Sequence, residues 1–122
     1  MKFNKFDTQA HPVDIREWNC HEEQDGVTIR YEKCYVRSLT VMEYAELVQL
    51  SADRETNGRD LSLAKVAVRF ALRDDKEGKR MFTPDDLEDI ANNDVRPARR
   101  IMDKLWELNS MSKDEAETLE KN

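Results

Sequence analysis

Apolar and polar positions divide the chain into two unlike parts near Leu39. Met1 to Pro12 holds isolated aromatics, Phe3 and Phe6, with no sustained period, which predicts a flexible N-terminal arm (1-12) that orders on a partner. Residues 13-122 read as one domain, extended over 13-39 and helical over 40-122. Val13 to Trp18 adds a short extended piece. From Gly26 the pattern alternates, with Val27, Ile29 and Tyr31 on one side and Thr28 and Arg30 on the other, which predicts a half-buried strand. After Lys33 the phase shifts, since Cys34 and Val36 now carry the apolar character. The shift predicts a turn or bulge near Glu32 and Lys33, separating two short strands of a small N-terminal β-hairpin. Neither Asn-Gly nor Asp-Gly marks that turn.

Helix starts are legible in the second part. Thr40 with Glu43 forms a capping box, in which a hydroxyl and a carboxylate satisfy backbone donors left open at a helix start. Val41, Tyr44, Ala45, Leu47 and Val48 supply one apolar face, and the polar run Ser51 to Gly58 ends the helix. Asp60 or Ser62 opens a second helix through about Leu72, apolar almost all round and therefore the expected central helix. Thr83 caps a short helix with Pro84 in its first position, and Asp85, Asp86, Glu88 and Asp89 suit its positive end. Asn93 or Asp94 opens a fourth helix, with Ala98, Ile101, Met102, Leu105 and Trp106 at the spacing of a buried face. Ser112 and Glu115 box the start of a last short helix, in which Ala116 and Leu119 are the apolar contacts. The expected fold is mainly α, about five helices around a central helix, with the small β-hairpin as a minor component.

Composition narrows the function. At 122 residues the chain is long enough for one modest core, in which folding hides roughly two thirds of the unfolded surface. Charged residues make up 38% of it, and 20 basic against 26 acidic residues leave a net charge of −6. That balance disfavours nucleic acid and anionic membranes, which attract broadly basic surfaces. No apolar run approaches a membrane span, and Met1 to Ala10 lacks the apolar stretch of a signal peptide, so a soluble intracellular protein is expected. In a reducing compartment Cys20 and Cys34 are expected as free thiols. His11, Cys20, His21 and Cys34 are the right residue types for zinc, but they lack the Cys-x-x-Cys and paired-His spacings, so no metal is expected.

Candidate chemistry is sparse. Asp74 to Gly78 imitates a calcium loop, yet placing Gly78 at the sixth position puts Arg73 first and Pro84 last, where carboxylates are needed; a solvated turn between helices is expected instead. Acidic pairs such as Asp85 and Asp86 sit at a helix start that favours ionised side chains, and no nucleophile, phosphate loop or triad accompanies them. No enzymatic role and no cofactor are expected. More informative are two basic rows at four-residue spacing: Lys65, Arg69 and Arg73, and then Arg96, Arg100 and Lys104. Like charges four apart disfavour a helix unless something answers them. They are read either as a solvated face answered by the acids from 85 to 89, or as a docking surface for an acidic or amphipathic segment of another protein. A rival places the helices beginning at Pro84 and Val95 in a helix-turn-helix with Arg96, Arg99 and Arg100 toward DNA, against which the carboxylates of Asp85 to Asp89 argue. Met102, Trp106 and Met111 are expected in the core, whereas Trp18, Phe3 and Phe6, outside the helical region, are candidates for contact with a partner or a second copy.

The order of elements carries a resemblance. Tyr35-Val36-Arg37-Ser38-Leu39-Thr40 leading into a helix, then Asp75-Lys76-Glu77-Gly78-Lys79-Arg80-Met81-Phe82-Thr83, then Leu105-Trp106-Glu107-Leu108-Asn109 and a closing Ser112-Lys113-Asp114-Glu115 resembles the tail assembly chaperones of long-tailed, siphovirus-type bacteriophages, over roughly residues 13 to 122. The resemblance implies a non-enzymatic protein of the host bacterial cytoplasm that binds the elongated helical tape measure protein, recruits tail tube subunits around it, and is absent from the mature virion. It also implies a programmed ribosomal frameshift that extends some copies near the C-terminus. A chaperone of this kind needs apolar surface shielded until its client arrives, and self-association is one such shield, so a homo-oligomer is expected. A generic helical adaptor is the other expectation for a chain acting through protein contacts.

Overall fold

The computed structural model of the chain describes residues 1-52 and 60-110. Its N-terminal half is one long, bent antiparallel hairpin. Strand β1 (Ala10–Asp14) pairs with β4 (Lys33–Arg37), and β2 (Cys20–Gln24) pairs with β3 (Val27–Tyr31). The tip joins Gln24 to Val27 through Asp25 and Gly26, whose φ angles of 51° and 77° are both positive. Two left-handed residues in a two-residue loop match the twist of the flanking strands, and Asp-Gly is among the sequences best suited to them. The hairpin therefore turns at Asp25-Gly26, not near Glu32 and Lys33 as expected. The phase shift at Glu32 is real, but it separates two ladders along one hairpin arm, because β3 and β4 pair with different strands. Ala10, His11 and Pro12, expected in the arm, belong to β1. Pro12 is tolerated there because β1 has a strand on only one side.

Opposite Glu32 the other arm carries extra residues. Ile15 donates its N–H to the Glu32 carbonyl at 2.9 Å, a single 3-10 turn follows over Arg16–Trp18, and Asn19 in the left-handed region returns the chain to β2. This insertion drops Ile15 and Trp18 into the core.

Helix α1 (Val41–Ala52) begins at the expected box: Thr40 N–H donates to Glu43 Oε1 at 3.1 Å, and Glu43 N–H donates to Thr40 Oγ1 at 3.2 Å. Helix α2 (Ser62–Phe70) follows, with the Asp60 carboxylate accepting the Ser62 N–H at 3.0 Å. Its small residues Ala64 and Ala67 permit close approach, and it packs against α1, α3 (Leu87–Ala91) and α4 (Val95–Asn109), which makes it the central helix as expected. It is shorter than predicted. Ala71 is extended, and Leu72 exchanges both backbone hydrogen bonds with Tyr35 at 2.7 and 2.9 Å. Leu72 also bridges to Arg80, while Arg73 N–H reaches the Lys79 carbonyl and Met81 N–H the Ala71 carbonyl. Residues 71 to 81 thus form a second small hairpin beside β4. In its loop, the Asp74 carboxylate accepts the N–H groups of Lys76 and Glu77, so this turn joins two extended pieces and not two helices. A 3-10 turn over Pro84–Asp86 leads into α3 from a Thr83–Asp86 capping box, and Asp94 caps α4 by accepting the Arg96 N–H at 2.9 Å.

The fold is accordingly α+β, with four α-helices and four strands in two small antiparallel ladders among the described residues, and the expectation of a mainly α protein of about five helices is corrected. Strand content was underestimated because the partner of β4 precedes it by some twenty residues, and because two of the bridges lie where an apolar run reads equally well as helix. The predicted last helix, with Ser112, Glu115, Ala116 and Leu119, lies outside the described residues, as do Met111 and the run from 53 to 59. The core gathers Val13, Ile15, Trp18, Cys34 and Val36 from the hairpin, Leu47 from α1, Val66, Ala67 and Phe70 from α2, and Ala98, Ile101 and Leu105 from α4. Full burial of side chains such as Leu47, Ile101 and Leu105 stabilises the fold by roughly 1.5–3 kcal/mol each.

Candidate protein-binding surface

Three cations of the basic rows, Arg69, Arg73 and Arg100, are clamps between elements. Arg69 on α2 makes a two-pronged pair with Glu46 on α1, Nε to Oε2 at 2.8 Å and Nη2 to Oε1 at 3.2 Å, with Glu43 at 3.9 Å. Arg73 no longer shares a helix face with Lys65 and Arg69, because α2 ends at Phe70. It reaches the tip hairpin instead, pairing with both oxygens of Glu22 at 2.8 and 3.2 Å while its guanidinium lies over the Tyr31 ring. Arg100 on α4 grips both oxygens of Glu17 at 2.6 and 2.7 Å and donates to the Asp14 carbonyl. Arg96 pairs with the capping residue Asp94 at 2.7 Å, and Lys104 pairs with Glu107 at 3.3 Å along the same helix. Lys65 lines a groove between α1 and α2. The acids answering Arg69, Arg73, Arg96, Arg100 and Lys104 are therefore Glu17, Glu22, Glu43, Glu46, Asp94 and Glu107. With Arg96 and Arg100 held by Asp94 and Glu17, two of the three cations invoked for a DNA-facing α3–α4 pair are turned to the fold itself.

These pairs shift their carboxyls downward. Arg100 holds Glu17 below the usual carboxylate range, chiefly by side-chain hydrogen bonding, and Arg69 does the same for Glu46. For Glu22 the Tyr31 hydroxyl acts first and Arg73 second. Asp94 falls to about 2, through hydrogen bonds from the Arg96 side chain and then the Arg96 backbone.

Trp18 is a core residue, which corrects its placement as a partner contact. It is 8% exposed, its indole N–H donates to the Asp94 carbonyl at 2.7 Å, and its ring meets Phe82 edge-on at 5.7 Å between centroids. Among the cysteines, Cys34 is buried and burial pushes its thiol up to about 12, while Cys20 is half-buried; both are free. Among the described residues no three His, Cys, Asp or Glu side chains converge in a metal-holding group.

The outer side of α1 is open to a partner. The five apolar residues expected on one face span too wide an arc for one contact, and the structure divides them. Tyr44 and Leu47 point inward, Tyr44 meeting Trp106 edge-on at 5.9 Å and Leu47 wholly buried. Val41, Ala45 and Val48 face out together with Met42, and Val41, Met42 and Val48 are 89%, 81% and 44% exposed. Spacing of four and then three residues sets Val41, Ala45 and Val48 in one stripe. A helix apolar on both sides is ordinarily covered on both sides. Sequence reasoning named Val41, Ala45 and Val48 but not Met42, and it missed the second face; the signal was the sheer number of apolar residues in a twelve-residue helix. Phe3 and Phe6, also named as partner contacts, are exposed on the segment preceding β1.

Beside this stripe runs an open groove of about 350 Å³ between α1, α2 and the start of α3, with Leu50, Val68 and Leu87 among its lining and Lys65, Arg69 and Arg80 around it. No protein-family model, curated protein or solved structure matches the chain.

Proposed function

We propose that the chain is an assembly chaperone that acts by holding other polypeptides, and that, as its resemblance implies, its clients are the tape measure protein and the tail tube subunits of a long-tailed phage assembling in the bacterial cytoplasm. The observation that carries this reading is the outer face of α1, where Val41, Met42, Ala45 and Val48 lie in solvent on a helix whose other side is anchored in the core by the buried Leu47 and packed there through Tyr44 and Leu50. Single exposed apolar residues are common on any surface, but a continuous stripe along one helix is a mark of protein contact. A long helical client with its own apolar stripe supplies the missing cover in helix-against-helix packing. Before the client arrives, copies of the chain cover one another through the same stripe, which makes the free protein an oligomer and client capture an exchange of partners.

The test is co-expression with a tape measure protein, followed by co-purification, with size-exclusion light scattering on the free chain. The wild type is expected to keep the client soluble and to elute with it. Val41→Asp with Val48→Asp is expected to abolish capture and self-association while remaining cooperatively folded, with a melting temperature lower than the wild type's only by the stabilisation that self-association supplies. A wild-type chain that ignores the client, or that instead binds DNA tightly and salt-sensitively, contradicts the proposal.

A further inference from the structure

The groove beside α1 has a chemistry of its own. Its floor is aliphatic, from Leu50, Val68 and Leu87, and three cations, Lys65, Arg69 and Arg80, stand around it. One anion, Glu46, lines it as well, and Arg69 already grips both of its oxygens. The exposed Arg80 adds attraction to the same carboxylate, lowering its proton affinity further, though less than Arg69 does. Arg69 is thus already answered, by Glu46 and by Glu43 at 3.9 Å, and the exposed Arg80 sets positive charge beside the groove on a chain whose net charge is −6. A groove apolar within and positive at its rim is complementary to an apolar side chain flanked by carboxylates. Its volume sits at the lower end for small-ligand pockets, yet one wall is α1 itself, through Gln49 and Leu50, immediately beside Val48 of the exposed stripe. The stripe and the groove therefore adjoin along α1.

We propose that this groove is the anchor point for an acidic amphipathic helix of the bound polypeptide, which inserts one bulky aliphatic or aromatic side chain over Leu50, Val68 and Leu87 and sets carboxylates against Arg80 and its neighbours. The inference rests on the reading of the chain as a polypeptide-binding protein and adds to it the charge and the anchor of the segment bound. Such recognition places affinity in the apolar anchor, with selection between segments and salt dependence in the rim.

The test uses the full chain and two designed fluorescent peptides of about four helical turns, with identical leucine faces, one flanked by Glu and the other by Lys. Fluorescence anisotropy is expected to show saturable binding of the Glu peptide, weaker at high salt, and at least about tenfold weaker binding of the Lys peptide. Arg80→Glu is expected to remove that preference, and Gln49→Trp, which fills the mouth from an exposed helix position, to block the Glu peptide. Both substitutions lie at the surface, and a melting curve confirms folding. Equal binding of the two peptides, no binding of the Glu peptide, or a preference unchanged by Arg80→Glu overturns the anchor. Client capture lost on Val48→Asp but retained in Arg80→Glu would leave the chaperone reading standing and remove the anchor alone.

Discussion

The Trp18 indole N–H donates to the main-chain carbonyl of Asp94 at 2.7 Å, fastening the hairpin insertion to the N-cap residue of α4. Asp94 meanwhile caps that helix with its side chain, so one residue joins the hairpin insertion and α4. Trp18→Ala is expected to destabilise the fold by about 3–5 kcal/mol, the usual cost of truncating a large buried aromatic. Trp18→Phe retains much of the packing against Phe82 but leaves the carbonyl without its donor, and it is expected to cost less than the alanine variant. Urea denaturation of both variants checks the order; equal or negligible losses would place Trp18 outside the core.

The clamps predict a stability that declines in acid. Glu17, Glu22 and Glu46 all hold protons less tightly in the folded chain than their ordinary value of 4.5, and Asp94 falls from 3.8 to about 2. Between the ordinary and the lowered values the unfolded chain binds more protons than the folded one, so acid favours unfolding. The contribution is complete above about pH 4.5 and is lost progressively as pH falls through the lowered values, down to about 2 for Asp94. Melting temperature measured against pH is expected to be steady near neutrality and to drop below that point. Arg100→Met returns Glu17 toward its ordinary value and is expected to make the drop shallower while lowering stability at pH 7. These groups are reached by solvent, so molar salt weakens the effect.

The tip of the hairpin depends on backbone conformation alone. Gly26 has φ of 77°, and a Cβ built there meets no atom within 4 Å, so an added methyl has space but an unfavourable torsion. Gly26→Ala is expected to cost about 1 kcal/mol, and Gly26→Val more, since a branched side chain tolerates the left-handed region less well. Thermal melts of the two variants check this; a neutral Gly26→Val would show that the tip does not hold the left-handed turn.

Two neighbouring residues on α1 separate packing from binding. Leu47, wholly buried, is expected to cost about 2–5 kcal/mol as Leu47→Ala. Val48→Asp, on the exposed stripe, is expected to change the stability of the monomer, compared at concentrations too low for assembly, by no more than about 0.5 kcal/mol while removing self-association. A Val48→Asp chain that unfolds, or that assembles like the wild type, would show that the stripe does not divide in this way.

Local chemistry was readable and distant pairing was not. The starts of α1, the turn before α3, and α4 follow from Thr40 with Glu43, Thr83 with Asp86, and Asp94, because capping joins residues within one turn. Asp25-Gly26 was equally local, and its meaning was masked by the more conspicuous phase shift at Glu32 and Lys33. Nothing near Arg100 announces Glu17, 83 residues away, nor does anything near Arg73 announce Glu22, so the cations could be seen but not their partners. The same distance hid the role of Trp18, whose hydrogen bond spans 76 residues. For the candidate surface, Val41, Ala45 and Val48 were correctly seen as apolar, yet only the packing of Leu47 and Tyr44 revealed which side of α1 remained uncovered.

The central claim, that the outer face of α1 is covered by another polypeptide, is tested most directly at Met42, which is 81% exposed in the single chain. Peroxide oxidation of Met42, followed by mass spectrometry, reports its access to solvent residue by residue. The account predicts slow oxidation in the assembled or client-bound protein and fast oxidation in the monomeric Val41→Asp, Val48→Asp variant. Oxidation of Met42 at one and the same rate in the free chain, the complex and the variant would contradict it.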